Sequence, residues 1–271
     1  MNKLDGVVGF IGAGNMATAL IKGLINSNHK PKDIISSSPE DEHLLKLSSL
    51  DIRTTNENLQ VIDASDIVIL AVKPNVIESV LNQIKEEVKN KEILVISIAA
   101  GVKLDRIKSI LGNSTKIIRA MPNTPASIME GVTAISPNEN TNSEDRNKAQ
   151  LLFECVGKVT EIKEKEIDIF TALIGSGPAY VFYLIESLLN SSANLSLSDT
   201  EKVELISSMI KGAAKLASVS EDSPEILRNK VTSPGGVTQR AIEEFEKNKL
   251  KEIIKESMES AEKRSIELGE N

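Results

Sequence analysis

Two stretches of the sequence combine residue types that serve chemistry better than they serve packing. In "VVGFIGAGNMATALIKGLI" a β-rich run meets Gly12, Gly14 and Ala17 at Gly-x-Gly-x-x-Ala spacing and passes straight into a helical pattern. Gly12 permits a tight turn, Gly14 lets the backbone approach an anion with no Cβ in between, and Ala17 is small enough for the helix to lie close to a sheet. The helix N-terminus then offers unpaired N–H groups and partial positive charge to a pyrophosphate. Near the other end, "KVTSPGGVTQRAI" (230–242) breaks a helical region with hydroxyls around a Pro-Gly-Gly turn. The N–H groups of a Gly-Gly turn at a helix start suit a carboxylate, and the Thr238 hydroxyl can hydrogen-bond a reacting nitrogen or relay a proton to it.

Such a glycine loop binds dinucleotides only when it joins a strand to a helix inside a βαβ unit. The first half of the chain supplies that setting. Short β-rich runs lie at "VVGFI" (7–11), "DIIS" (33–36), "IVILAV" (67–72) and "ILVISI" (93–98), followed by "KIIRA" (116–120) and "VTAIS" (132–136). The nearly continuous apolar runs are those of strands covered on both faces. Helical patterns separate the strands: Ile77, Leu81, Ile84 and Val88 form one apolar stripe. Strands alternating with helices predict a parallel sheet. A helix then runs to Val156, where Gly157 ends it. From Glu166 onward the strand pattern stops, and helices are expected over 166–190, 199–218, 224–231, 237–248 and 250–268. Ser198 with Glu201 has capping-box spacing, and Ser223-Pro224 is an N-cap followed by proline at the first helical position. The expected architecture is an α/β N-terminal Rossmann domain with a parallel-rich sheet (1–165) followed by an all-α C-terminal domain (166–271).

The second strand ends in Ser36-Ser37-Ser38, where NAD-preferring sites carry an acid that bonds the ribose 2′-hydroxyl. Serine hydroxyls donate to a 2′-phosphate, so this strand end leans toward NADP, although acids follow at 40–42 and no Arg or Lys stands there. "AVKPN" (71–75) and "AAGV" (99–102) follow later strands, beyond the strand ends where such sheets bind ligands. Their small residues admit a flat nicotinamide, and Lys73 reaches toward the cofactor or an anionic substrate. Two further stretches resist a packing explanation. "RAMPNTPASIMEG" (119–131) sets two prolines around Asn123-Thr124, and "TALIGSGPAYVF" (171–182) puts Gly-Ser-Gly-Pro inside an apolar helix. Each such glycine costs about 1 kcal/mol against alanine and the proline about 3, which predicts a kink or a close approach to the backbone.

Composition removes other classes. Across 271 residues, 40% are hydrophobic and 26% charged, as in a soluble globular protein with a sizeable core. The net charge of −7 comes with no basic stripe, so nucleic acid is not an expected partner. No unbroken run of about 18 apolar residues predicts a membrane span, and the opening residues read as a strand rather than a leader. One cysteine, Cys155, fits a reducing cytoplasm. The two histidines, His29 and His43, are expected at the surface, with no metal-ligand spacing around them.

Taken in order, "GFIGAGNMA", "AVKP", "AAGV", "MPNTP", "GSGPAY" and "VTSPGGVTQRAI" resemble the pyrroline-5-carboxylate reductase family over nearly the whole chain. The resemblance implies reduction of the cyclic imine 1-pyrroline-5-carboxylate to L-proline by NADPH or NADH, the last step of proline biosynthesis. It also implies a helical C-terminal domain that makes an interlocked homodimer, often assembled further as five dimers. Carried over by position, the cofactor would meet Gly12, Ala13, Gly14, Asn15, Met16, Ser37 or Ser38, Asn56, Ala71, Lys73, Pro74, Ala99, Ala100 and Gly101. The substrate would lie against Ser233, Gly235, Gly236, Val237 and Thr238 with Ser176 nearby, and Glu164 and Glu221 would stand on the substrate side. Thr238 is the expected catalytic residue. The chemistry agrees, because an imine that protonates in solution needs orientation and a polar neighbour rather than a strong acid, and the second half contains no histidine. A two-domain hydroxyacid dehydrogenase would need a lysine or histidine acid/base in the helical half. A non-catalytic dinucleotide sensor would not need the hydroxyls of the Pro-Gly-Gly turn.

Overall fold

The structure is a computed structural model and describes residues 4–270. Eight strands, Val8–Ile11 (β1), Ile34–Ser37 (β2), Arg53–Thr55 (β3), Ile67–Leu70 (β4), Leu94–Ser97 (β5), Lys116–Met121 (β6), Gly131–Pro137 (β7) and Gly157–Glu161 (β8), form one sheet. Their order is β3-β2-β1-β4-β5-β6-β7-β8, and neighbours are parallel except for the antiparallel β6–β7 pair. Helices Asn15–Asn26 (α1), Asp41–Ser48 (α2), Asn58–Ala64 (α3), Ile77–Asn90 (α4), Leu104–Leu111 (α5) and Ser143–Glu154 (α6) lie between the strands. The rest is helical: Ile167–Phe170 (α7), Gly177–Asn190 (α8), Asp199–Val219 (α9), Pro224–Lys230 (α10), Val237–Lys247 (α11) and Leu250–Glu270 (α12). This is the Rossmann arrangement, with the strand order reversing beside β1.

The central strands are apolar at every position because alternate side chains enter different cores. Phe10, Ile69, Ile96 and Ile118 join Leu20, Leu24 and Phe153 on one face. Ile11, Val68, Leu70, Val95 and Ile117 join Val61, Leu81, Ile84 and Ile107 on the other. Each fully buried aliphatic side chain contributes about 1.5–3 kcal/mol. All four residues of β4 are at most 1% exposed, so this strand ties both cores together. Two strands were not apparent in the sequence, β3 ("RTT") and β8 ("GKVTE"). Both lie at sheet edges, where polar residues replace the apolar alternation.

Packing divides the chain into two compact units, one running to Ser176 and taking up residues from Ala261 on, the other Gly177–Ser260. In the second unit the expected caps are present. The Ser198 side chain accepts from Glu201 N–H while Glu201 accepts from Ser198 N–H, and Ser223 caps α10. Yet α8, α10 and α11 bury no residue, and Phe182, Tyr183, Leu205, Met209, Val219 and Phe245 are exposed.

Two local expectations change. Residues Glu164–Asn190 are long and apolar enough by composition to cross a membrane. The sequence hides this because Gly-Ser-Gly-Pro interrupts the apolar run without adding charge. His29 is buried rather than on the surface. It follows Asn28, which adopts φ 65°, so the chain turns back at the end of α1 and aims Nδ1 at the Leu4 carbonyl, 3.2 Å away. The interrupted helix breaks as expected, through a π turn over Thr171–Gly175.

Cys155 packs behind α1 and its thiol donates to the Leu152 carbonyl at 2.8 Å. Burial pushes the thiol up to about 12 from its ordinary 9.0. The folded state therefore keeps a proton that the unfolded chain releases, and stability present below pH 9.0 is lost as pH rises toward 12. At about pH 8 a thiol reagent should label Cys155 only after denaturation. Above about pH 9 the urea midpoint should fall more steeply for the wild type than for Cys155→Ala.

Candidate active site

The end of β1 is pinned by its neighbours. Gly12 N–H donates to the Ser37 carbonyl (2.9 Å) and Ala71 N–H to the Ile11 carbonyl (2.8 Å). Gly12 takes φ +107°, and a Cβ there would stand 2.5 Å from the Ala71 carbonyl oxygen, so only glycine fits. Ala13 and Ala17 are buried beneath the turn, which seats α1 on the sheet. Gly14 is the N-cap of α1. It makes no side-chain cap bond, the first turn holds no acid, and nothing lies within 4 Å of where its Cβ would be. The first N–H groups of α1, with Asn15 exposed and Met16 half-buried beside them, thus face open space that an anion can enter. These residues fit the pyrophosphate of a dinucleotide.

At the end of β2 the serines face differently from one another. Ser37 is fully buried and its hydroxyl donates to Asn58 Oδ1 (2.7 Å), away from the open edge. Ser38 Oγ accepts from Glu40 N–H at 3.1 Å. Asn56, beyond β3, donates to the Ser38 carbonyl at 3.2 Å, so Ser38 and Asn56 adjoin. Further along the same edge, Lys73 and Pro74 are exposed after β4, and Ala99, Ala100 and Gly101 follow β5 with only Ala100 exposed. Gly101 has φ +78°, and a Cβ on it would lie 3.1 Å from the Leu268 carbonyl oxygen. The last turn of α12 thus packs on this loop. Leu268, Gly269, Pro74, Val102 and Lys103 help line a cavity of about 730 Å³.

Behind that edge, Arg119 is 3% exposed and reaches Glu164 Oε1 at 3.3 Å and Asp168 Oδ1 at 3.9 Å. Glu164 Oε1 also accepts from Leu104 N–H at 2.6 Å, capping α5 from sixty residues away. Asp168 Oδ1 accepts from Ser265 of α12 at 2.8 Å. Glu164 is therefore joined to the frame of the first unit, a tie that spacing alone does not reveal. The Gly-Ser-Gly-Pro break forms a π turn over Thr171–Gly175, closed by Ser176 N–H donating to the Thr171 carbonyl at 2.8 Å. Pro178 has no N–H for the Ile174 carbonyl four residues back. Asn123 Nδ2 supplies the donor at 3.1 Å, while its Oδ1 accepts from Val132 N–H at 2.8 Å. The proline at 178 was the sequence signal for this role of Asn123. Ser176, the last residue of this unit, is exposed.

In the second unit, residues 232–236 form the turn before α11. Gly235 takes φ +73° and its N–H donates to Gln239 Oε1 at 2.5 Å. Gly236 N–H donates to the Ser233 carbonyl at 3.0 Å. Both glycine N–H groups are thus used inside the turn, contrary to the expectation that they face a ligand. Gly236 caps α11 without a side-chain bond and no acid occupies the first turn. The donors of α11 with no carbonyl one turn back are those of Val237, Thr238 and Gln239; Val237 and Thr238 are exposed, as is Ser233. Glu221 is exposed, and its neighbour Asp222 pairs with Lys230.

Comparison with known proteins gives a consistent picture. Residues 164–268 match the family model described as pyrroline-5-carboxylate reductase dimerisation. Residues 7–101 match that described as NADP oxidoreductase, coenzyme F420-dependent. The pyrroline-5-carboxylate reductase of Methanosarcina acetivorans is 36% identical over 97% of each chain. Among solved structures, a pyrroline-5-carboxylate reductase from Coxiella burnetii is 36% identical with a TM-score of 0.90, covering 98% of this chain and 99% of its own. The Plasmodium falciparum pyrroline carboxylate reductase, solved with NADP bound, is 32% identical with a TM-score of 0.89, covering 99% and 100%.

The dimerisation match begins at Glu164, the residue that Arg119 holds. Arg119→Leu leaves the Glu164 and Asp168 carboxylates facing a cavity without their cation. It should cost about 3–5 kcal/mol, read as a lower urea midpoint, whereas Glu164→Gln, which can still accept from Leu104, should cost less.

Proposed function

The chain belongs to the pyrroline-5-carboxylate reductase family, and from that premise we propose that it reduces 1-pyrroline-5-carboxylate to L-proline with NADPH or NADH, the last step of proline biosynthesis. The observation that carries this reading is the turn before α11, where an acid-free helix start and the Thr238 hydroxyl stand together. When bound, the reduced nicotinamide supplies a hydride to the imine carbon. Gly12, Ala13, Gly14, Asn15 and Met16 hold its pyrophosphate, and Ser38 and Asn56 line the ribose, with Ser37 behind them. Ala71, Lys73, Pro74, Ala99, Ala100 and Gly101 border the nicotinamide side.

The substrate carboxylate takes the N–H groups of Val237 and Thr238, in a cradle whose shape is set by Ser233, Gly235 and Gly236, with Ser176 on the substrate side. Two such donors at a helix start favour an anion. The Thr238 hydroxyl bonds the ring nitrogen, fixing the face of the imine and relaying the proton that the amine retains. Orientation of this kind can supply about 7–11 kcal/mol of rate enhancement, which suits a site with no histidine. The hydroxyacid-dehydrogenase and sensor readings lack support, since the helical half has no histidine and its site-like turns hold no lysine but Lys230, which pairs with Asp222, and the turn keeps the hydroxyls that a sensor would not need.

Residues 1–165 serve as the NAD(P)-binding domain and 166–271 as the substrate-binding and dimerisation domain. The exposed apolar side chains of α8 and α9 are covered by a second copy rather than by lipid or nucleic acid, with five dimers as a further assembly. A single, half-buried cysteine kept protonated suits the cytoplasm. Mixing the protein with the imine and NADPH or NADH should bleach the reduced-nicotinamide absorbance, and no oxidation of either cofactor would overturn the assignment. Thr238→Ala should lose about 100-fold in kcat with reduced-cofactor binding retained, and Thr238→Ser should recover most of it.

A further inference from the structure

The ribose wall is made of polar groups that bond one another. Ser37 donates to Asn58 Oδ1, and Asn58 Nδ2 passes on to Gln83 Oε1 at 2.8 Å. Asn56 spends its amide on two acceptors, the Ser38 carbonyl at 3.2 Å and Asp41 Oδ1 at 3.1 Å. Asp41 opens α2 and is exposed, between Glu40 and Glu42. Residues 34–42 and 54–58 contain no Lys or Arg. On α2, His43 Nδ1 meets Glu40 Oε2 at 2.9 Å, and the Lys46 ammonium is matched by Glu42 Oε1 at 2.7 Å.

We propose that Asp41 sets how this chain discriminates between NADPH and NADH. Asn56 fixes the carboxylate beside the strand end where the ribose lies. There it disfavours a 2′-phosphate twice, by its charge and by holding the Asn56 amide that would otherwise bond that phosphate. A 2′-hydroxyl carries no charge and feels neither effect strongly. The inference rests on the reading that the glycine loop of β1 binds a nicotinamide dinucleotide. At an exposed, screened edge, removing one such carboxylate changes affinity for a phosphate by about tenfold.

The test compares the wild type with Asp41→Asn, using adenosine 2′,5′-bisphosphate and 5′-AMP as calorimetric probes of the ribose wall, and NADPH and NADH in turnover. Asp41→Asn should tighten the bisphosphate about tenfold and leave 5′-AMP within about twofold, with the gain shrinking at high salt. The kcat/KM ratio of NADPH to NADH should rise by a similar factor, through KM. Glu42→Gln, which removes an equal charge one residue on, should move the ratio much less. An unchanged ratio in an active Asp41→Asn enzyme overturns the proposal, as does an equal shift of both probes or an equal effect of Glu42→Gln. Failure to bind either probe, with no cofactor oxidised, would instead overturn the dinucleotide reading beneath it.

Discussion

The first unit depends on how closely its backbone segments approach at the end of β1. Gly12 sits between the Ser37 carbonyl, which its N–H meets, and the Ala71 carbonyl, which leaves no room for a Cβ. That contact brings the ends of β2 and β4 to the mouth of the glycine loop. The Ser38–Asn56 segment and the Lys73 loop thereby share one edge with the N-terminus of α1. The sheet order makes this possible, since β1 lies between β2 and β4, and the open crevice falls where the winding reverses.

A second principle recurs in the first unit: backbone groups left open by a proline or a helix start are met by side chains from far along the chain. The Ile174 carbonyl, orphaned by Pro178, is met by Asn123. The first N–H of α5 is met by Glu164, and Glu164 is balanced by Arg119. Leaving any of these unmade would cost about 1–3 kcal/mol. The "MPNTP" loop and the Gly-Ser-Gly-Pro break are thus two halves of one joint. Neither explains itself alone.

Much of this was legible in the residues. The β1–loop–α1 unit declared itself because Gly12, Gly14 and Ala17 each answer a separate steric demand. The strands β4 and β5 did so because burial on both faces leaves an apolar run. β3 and β8 did not, since an edge strand of polar residues carries no pattern to distinguish it from a loop. The direction of a side chain was the least legible property. Ser37 and Ser38 look equivalent in sequence, yet strand alternation turns one hydroxyl inward to Asn58. The Gly-Gly turn was visible as a helix start, but its internal bonds, one of which needs the Gln239 side chain to fold back, leave the open donors to Val237, Thr238 and Gln239.

The packing of Gly101 against Leu268 and Gly269 has a consequence for synthesis. The loop after β5 leaves the ribosome long before the turn that covers it, by roughly ten to thirty seconds at ordinary elongation rates. Until then the sheet can form but the loop after β5 lacks its covering wall. A nascent first unit therefore has its glycine loop before it has this wall, and its final ordering waits until the turn at 268–269 has been made.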